Sequence, residues 1–567
     1  MRIAAVSEAE GGGRLRELGE QASGSEGALS EGTLWRVGDL AGAIADHEAR
    51  GRRSGEPVRW VFADTSQVYP ALLDRGVRIS RCHDTTLVEA LLLSHAGRFG
   101  EAHALGAAWA RLHGREAPPD PAPPGAEGRD AQPTLFEPDR STLPPDADPL
   151  DALVEVYADQ RRRMAELVHP GRFALLAAVE SAGALGAAEM AHDGVPWRAD
   201  VHDAVLTEQL GARPASGTRP PVLADLAARI SEAFGRSVNP DSPVQLMRAF
   251  EAAGHPVSST RSWVLQRVDH PAVPLLLRYK ELARLHSAHG WSWLDTWVSG
   301  GRFRTDYVVG GVVSGRWATR GGGALQIPKI VRRAVVADPG WTLVCADAGQ
   351  LEPRILAAVS GDSALAAAAG SDDLYARLAR SFGGDRQRAK IALLAAMYGQ
   401  TSGDAAALLP RLRQAYPRAV EHVDAAAREG EQGRLVRSWL GRTCPPPMWG
   451  AEDDADEGGS AGPGDRAARE RGRFTRNFVV QATAAEWALV LMAAVRRGLA
   501  DLDSAAGRPQ LVFFQHDELV LHVPRTLAEA AVQTLRAAAD EAAALMFGDT
   551  PVRFPLDIAV VDRYSDA

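Results

Sequence analysis

Four short stretches of this chain gather apolar residues as strands do: VRWVFA from Val58, WTLVCA from Trp341, LVFFQ from Leu511 and LVLHV from Leu519. Elsewhere Leu, Ala and Val recur at three- and four-residue spacings, the period of an amphipathic helix; TTLVEALLLSHA from Thr85 and most of residues 150–299 read this way. The pattern predicts a small α/β unit over residues 1–113, a mainly helical stretch to about 299, and strands alternating with long Ala-rich helices beyond 300. Residues 114–149 are dense in Pro, Asp and Gly and carry too little apolar surface to offset their ordering entropy, so they are predicted to form a disordered linker. A second flexible stretch is expected over 449–471, and no repeat of fixed period is seen. At 567 residues, two or more domains are expected.

Composition changes this picture little. The chain is 46% hydrophobic and 24% charged, as globular proteins are. A net charge of -9 excludes an overall basic coat for nucleic acid but leaves room for a local basic cleft. Arginine supplies nearly all the cations; the lysines are Lys280, Lys329 and Lys390, so a lysine kept in this background draws interest. Cys82, Cys345 and Cys444 are far apart and form no C-x-x-C pair, which indicates neither a disulfide framework nor a cysteine zinc site. The N-terminus has no apolar signal core, and no uninterrupted apolar run is long enough to span a bilayer. A cytoplasmic protein, associated with the nucleoid and not with a membrane, is expected.

The chemistry concentrates in two places. In LVFFQHDELVLHV, His516, Asp517 and Glu518 interrupt an otherwise apolar run, which suggests a hairpin with acids at its tip. The strand WTLVCA ends at Asp347. If the two segments neighbour each other in one sheet, Asp347 and Asp517 can share divalent cations suited to phosphoryl transfer; otherwise they are solvated turn acids. In RQRAKIALLAAMYG, Arg386, Lys390, Leu394 and Tyr398 recur every four positions and form one stripe on a helix. Two cations followed by two bulky side chains match a nucleoside triphosphate lying along the helix, or a solvated face beside a core stripe.

These stretches resemble, in order, motifs A, B and C of family A DNA polymerases, the bacterial DNA polymerase I type. Motif A of the family reads D-Y-S-Q-I-E-L-R, and here Asp347-Ala348-Gly349-Gln350-Leu351-Glu352-Pro353-Arg354. Motif B, R-x-x-x-K-x-x-x-F-G-x-x-Y-G, is matched by Arg386, Lys390, Tyr398 and Gly399, and motif C, H-D-E, by residues 516–518. RFTRNFVVQATAAEW resembles R-x-x-x-N-x-x-x-Q-G-T-A-A-D, and SGRWATRGGGALQIP resembles T-G-R-L-S-S…L-Q-N-I-P. The likeness runs from about Val195 to the C-terminus.

The resemblance implies a multi-domain α/β (α+β) fold, a right-hand polymerase of palm, fingers and thumb. The polymerase domain would span 150–567, with the thumb at about 195–300, the palm at 301–362 and 472–567, and the fingers at 363–471. A small RNase H-like exonuclease-type domain, 1–113, would precede it, with no 5′-nuclease domain. Two Mg²⁺, with Mn²⁺ able to substitute, would sit on Asp347, Asp517 and the Ala348 carbonyl, beside Glu518. Lys390 would share in catalysis; Arg386, Lys390, Leu394, Tyr398, Gln350 and Glu352 would bind the deoxynucleoside triphosphate, with Glu352 as a steric gate against the ribose 2′-hydroxyl. Arg316, Arg473, Asn477 and Gln481 would donate to the minor groove of primer-template DNA, and His516 would place the primer end. The expected activity is template-directed DNA synthesis by a monomer, in repair or gap filling. The alternatives are a metal-dependent nuclease and a non-catalytic DNA-end binder.

Departures from the family matter too. Leu394 and Ala395 replace an aromatic and a glycine, and motif A carries Pro353 and lacks its tyrosine. In the N-terminal unit no D-x-E lies in an early strand, Val68 stands at the second exonuclease aspartate, and Tyr157 is followed by Arg161 where aspartate is expected. Asp64 and Asp84 remain, too few for the usual two-metal site, so a proofreading-deficient domain is expected. QPTLF resembles the Q-x-x-L-F peptide that docks on the bacterial sliding clamp, through Gln132, Leu135 and Phe136.

Overall fold

The computed structural model describes residues 1–20, 29–122, 142–215, 217–399, 404–446 and 463–567. The segment 132–136 lies outside the described residues.

The N-terminal unit is a five-stranded sheet in the order Leu29–Val37, Gly13–Glu20, Arg2–Ser7, Arg59–Phe62, Arg81–Asp84. The first three strands pair antiparallel; the last two run parallel to Arg2–Ser7. The helices Leu40–Ser54, Thr65–Asp74 and Thr85–His95 each start where an aspartate can cap them: Asp39, Asp64 and Asp84 accept from the N–H groups of Gly42, Ser66 and Leu87. The helix Pro149–Ala165, capped by Asp148 with proline in its first turn, lies on this sheet as well, burying Leu150, Leu153 and Tyr157 against Ala4, Leu18 and Val61. The start of this helix thus covers the second apolar face of the N-terminal sheet, while Met164 near its end joins the larger core.

The rest of the chain is organised by an antiparallel sheet in the order Gln510–Gln515, Glu518–Pro524, Trp341–Ala348, Leu556–Val561. Its apolar residues face two cores. Val512, Phe513 and Val520 join the helices of residues 199–297, which bury Leu206, Ile230, Phe250 and Leu276 among themselves. Leu511, Phe514 and Leu521 join a larger core built on the helix Pro463–Leu499, with Trp487, Leu491 and Val495 buried. At 37 residues this helix is about 55 Å long. It runs unbroken across the expected fingers–palm boundary at 471/472, and residues 463–471 are helical where a flexible stretch was expected. Ala, Arg and Glu are good helix formers, and Arg466 bonds Glu470 one turn on at 3.1 Å.

Pro170–Asp193 and Arg466–Leu499 are each long and apolar enough, by length and composition, to cross a membrane, although acidic residues such as Glu180 and Glu486 interrupt their apolar runs. Both are mostly buried, at 72% and 89% of the apolar window, so their apolarity serves the core.

Candidate active site

Four antiparallel strands bring three acids into one row at the edge of the central sheet. Asp347, at the end of its strand, stands opposite Glu518 on one side and Asp557 on the other. The Ala348 N–H donates to the Asp517 carbonyl at 3.2 Å, so the hairpin tip folds over the end of the Asp347 strand. Burial, then repulsion from Asp517, Glu518 and Asp557, pushes the Asp347 carboxyl up to about 6; burial raises Asp517 as well. A cation would relieve both. Among the described residues no three His, Cys, Asp or Glu side chains are arranged to hold a metal by themselves. A hard cation here would complete its shell with the Ala348 carbonyl, water or phosphate oxygens, as Mg²⁺ commonly does.

Glu518 points elsewhere. It accepts from the Tyr564 hydroxyl at 2.5 Å and lies 3.6 Å from Arg332, whose guanidinium stacks over the Tyr564 ring at 4.3 Å. Its carboxylate is thereby drawn toward the C-terminal turn. Both turns beside the aspartates are held in the left-handed region without glycine: Gln350 and His516 each have φ of 59°. Such conformations persist only where surroundings impose them, and they gather at functional sites.

The next turn of motif A is tied to the helix Arg386–Tyr398 at both of that helix's ends. At its N-terminus Arg386 donates to Asp373 at 2.8 Å, and Asp373 accepts from Gln350 at 3.1 Å. At its C-terminus the Tyr398 hydroxyl donates to Glu352 at 2.7 Å, while the other Glu352 oxygen takes Arg316 at 2.7 Å. Burial, then the bond to Glu352, raises the Tyr398 pKa. Between these tethers Lys390 is exposed and, among the described residues, has no hydrogen-bond or ion-pair partner; Leu394 is half-buried against the core. The helix starts on the Asp385 cap and ends at Gly399, whose φ is +69° and where a Cβ would meet Arg473 Cγ and Arg476 Cδ at 3.3 Å. Glycine is required there on both counts.

Arg473, Asn477 and Gln481 recur every four residues along the long helix, on one face. Arg473 is exposed, and the Asn477 side-chain oxygen is buried without a hydrogen-bond partner. His516 stands at the hairpin tip, in contact with solvent; partial loss of ring hydration, then the Arg316 charge, lowers its pKa. Arg316 and Arg386, expected to meet DNA and triphosphate, are here engaged with Glu352 and Asp373.

Sequence reasoning missed several of these groups. Asp557 carried the same signal as the HDE tip, an acid in the apolar run PLDIAVV. Arg354 was visible only as a motif letter. It is fully buried and donates to the carbonyls of Gly349, Ala369, Ser371, Asp372 and Arg553, at 2.5 to 3.1 Å, clamping the turn after Asp347 to two distant loops. Nothing in the sequence marks Asp373, Tyr564 or Arg332 as partners.

Residues 220–564, more than half of the chain, match the family model described as DNA polymerase family A. The chain belongs to that family. Its relatives include DNA polymerase I of Chloroflexus aurantiacus, 28% identical over 361 residues that make up 55% of this chain and 36% of that protein. The thermostable DNA polymerase I of Thermus aquaticus is 27% identical over 382 residues, 60% of this chain and 43% of that protein. The aligned region thus spans less than half the length of these relatives. Among solved structures, the POL domain of Pol1 from M. smegmatis, in complex with DNA primer-template and dNTP, shares the fold over 100% of this chain and 95% of its own, with a TM-score of 0.71 at 18% identity. The family A polymerase architecture accordingly includes the N-terminal sheet as well as the region of the motifs.

In that N-terminal unit the remaining acids serve as helix caps. Asp84 is buried and accepts from Thr65 N–H at 2.7 Å and Leu87 N–H at 2.9 Å; burial, then Asp64, pushes it up to about 7. Asp64 is occupied by Ser66 and Gln67. The adjacent strand Arg2–Ser7 carries no acid along Ile3, Ala4, Ala5 and Val6.

Proposed function

We propose that this family A polymerase adds deoxynucleotides to a primer 3′-hydroxyl under the direction of a template, releasing pyrophosphate. What supports the reading above all is the double tether of the helix Arg386–Tyr398 to Gln350 and Glu352, the residues just after Asp347. It holds the helix that carries the two cations and two bulky side chains beside the turn that follows Asp347.

Asp347, Asp517 and the Ala348 carbonyl would hold two divalent ions, Mg²⁺ by their hard oxygen chemistry. The ions would supply charge stabilisation for the attacking and leaving oxygens of an in-line displacement. Lys390, unpaired and exposed, is free to meet the triphosphate and to give a proton toward the departing pyrophosphate. Arg386 would exchange Asp373 for phosphate; a solvent-exposed ion pair of this kind contributes little, so the exchange is cheap. Glu352, fixed from two sides, forms a rigid wall where a 2′-hydroxyl would sit. Arg473, Asn477 and Gln481 present donors on one helix face, suited to the acceptors that every correct base pair offers in the minor groove. A primer extension assay with Mg²⁺ tests this: wild type should extend, whereas Asp517→Ala and Lys390→Ala should fall by orders of magnitude. Degradation without extension would favour the nuclease reading, and binding without either would favour the end binder.

The N-terminal unit is read as a structural remnant without proofreading, since Asp64 and Asp84 are spent as helix caps and the adjacent strand Arg2–Ser7 adds no carboxylate. The peptide Gln132 to Phe136 is proposed as a clamp tether, testable by loss of clamp-stimulated synthesis in a Leu135→Ala, Phe136→Ala variant. A monomer working in gap filling or repair in the cytoplasm fits this set of parts.

A further inference from the structure

A cavity of about 320 Å³ lies at the seam between the N-terminal unit and the polymerase body, at Gln510. That is the far end of the strand leading to His516, so the cavity sits about 20 Å from the catalytic hairpin tip at 3.3 Å per residue. Six arginines line it against three carboxylates, in a chain whose net charge is -9.

Part of this charge is spoken for. Arg496, from the end of the long helix, donates to Glu189 at 2.6 and 2.8 Å and to the Ser80 carbonyl at 2.9 Å; Tyr69 donates to the same Glu189 at 2.5 Å. Arg78 holds Asp193 at 2.6 Å. Arg497 is paired with Glu541. This network closes the floor of the cavity and joins the two halves of the protein. Arg52, Arg81 and Arg508 are left without a carboxylate partner among the described residues; Arg81 reaches only the Pro57 carbonyl, at 3.0 Å. Arg508 has neither a hydrogen bond nor an ion pair there, although it is partly buried beside Arg78 and Arg496. Burial, then Arg78, pushes its guanidinium below its ordinary value, with Glu189 opposing the shift and Arg496 adding to it. A half-buried cation with no direct partner among the described residues, between two arginines and a Glu189 that Arg496 and Tyr69 already occupy, is unfavourable unless a further anion joins it.

We propose that this cavity is a second anion site, built for a phosphate group and distinct from the polymerase centre. Guanidinium forks pair with phosphate through parallel N–H···O bonds, and several forks converging from different elements suit a multiply charged oxyanion better than a lone carboxylate. Ile79, Leu499 and Leu511 line the rest and offer an apolar surface to a carbon-bearing portion. The phosphate could be carried by a free nucleoside phosphate or by a phosphorylated DNA end. In either case the ligand would bridge Arg81 of the N-terminal unit and Arg508 of the body. The proposal does not depend on the synthetic activity.

Isothermal titration of the full chain with inorganic pyrophosphate in metal-free buffer tests it, on wild type, Arg508→Gln, Arg81→Gln and, as a control at an exposed ion pair outside both sites, Arg213→Gln. We expect binding in wild type that is weakened about tenfold or more by Arg508→Gln, weakened by Arg81→Gln, and unchanged by Arg213→Gln. Arg81 is exposed, so its variant serves should Arg508→Gln fail to fold. Competition by dAMP but not by a 5′-phosphorylated oligonucleotide would identify a free nucleotide as the source. Competition by that oligonucleotide, and not by its 5′-hydroxyl form, would identify the DNA end. No binding to wild type, or equal binding to wild type, Arg508→Gln and Arg81→Gln, overturns the proposal.

Discussion

Removing one hydroxyl should loosen the gate. In Tyr398→Phe, Glu352 loses the donor at 2.7 Å on one oxygen and keeps Arg316 at 2.7 Å on the other. The Glu352 side chain is only 15% exposed, so the lost bond is charge-assisted and poorly replaced by water. Such bonds contribute about 1.5 to 3 kcal/mol, and the bond that Glu352 keeps to Arg316 argues for the lower end. At ~1.4 kcal/mol per factor of ten, the carboxylate should become roughly tenfold easier to displace. The selectivity for deoxynucleoside over ribonucleoside triphosphates, measured as the ratio of kcat/KM in single-nucleotide primer extension, should therefore fall about tenfold, with kcat/KM for the deoxynucleotide nearly kept. Glu352→Ala should abolish the gate outright, and Tyr398→Phe added to it should change selectivity no further, because the phenol acts through the carboxylate. Equal losses from Tyr398→Phe with and without Glu352 would refute this reasoning and give the tyrosine a contact of its own with the nucleotide.

Three further outcomes are expected. The Asp347 carboxyl is raised from 3.8 to about 6, so the metal-free chain keeps that stabilisation below the lower value and loses it as pH climbs through the upper one. Across the window this shift spans, from pH 3.8 to about 6, the Tm of metal-free wild type should drop more than that of Asp347→Asn, and Mg²⁺ should close the gap; parallel curves would count against it. Arg354→Met strips the five carbonyl contacts of a buried cation, at a cost of about 3 to 5 kcal/mol by analogy with broken buried pairs, and should strip hydrogen-exchange protection from residues 349–373. Unchanged exchange there would show that the clamp is dispensable. In the N-terminal unit, a mismatched primer 3′ end should survive incubation with Mg²⁺, and trimming that vanishes in Asp84→Asn would contradict the reading of Asp84 as a helix cap.

The chemistry was legible in the chain because it is carried by local order. An acid ending an apolar strand, three polar residues at a hairpin tip and a four-residue stripe of cations and bulky groups are patterns of adjacent residues, and their sequence order selected the family. The caps went unread although they carry a local signal too: Asp39, Asp64, Asp84 and Asp148 stand directly before the helices they start. What only the tertiary structure decided is pairing across long separations. Strand register set Asp557 beside Asp347; packing, not composition, laid the start of the helix Pro149–Ala165 on the N-terminal sheet; and Glu518 went to Tyr564 and Arg332, not to the aspartates. Arg354 and Arg508 make the point most plainly. Both are ordinary arginines in an arginine-rich sequence, yet one is saturated by five carbonyls and the other faces a cavity with no hydrogen-bond or ion-pair partner among the described residues, because the free energy of a charge is set by the groups that folding places around it.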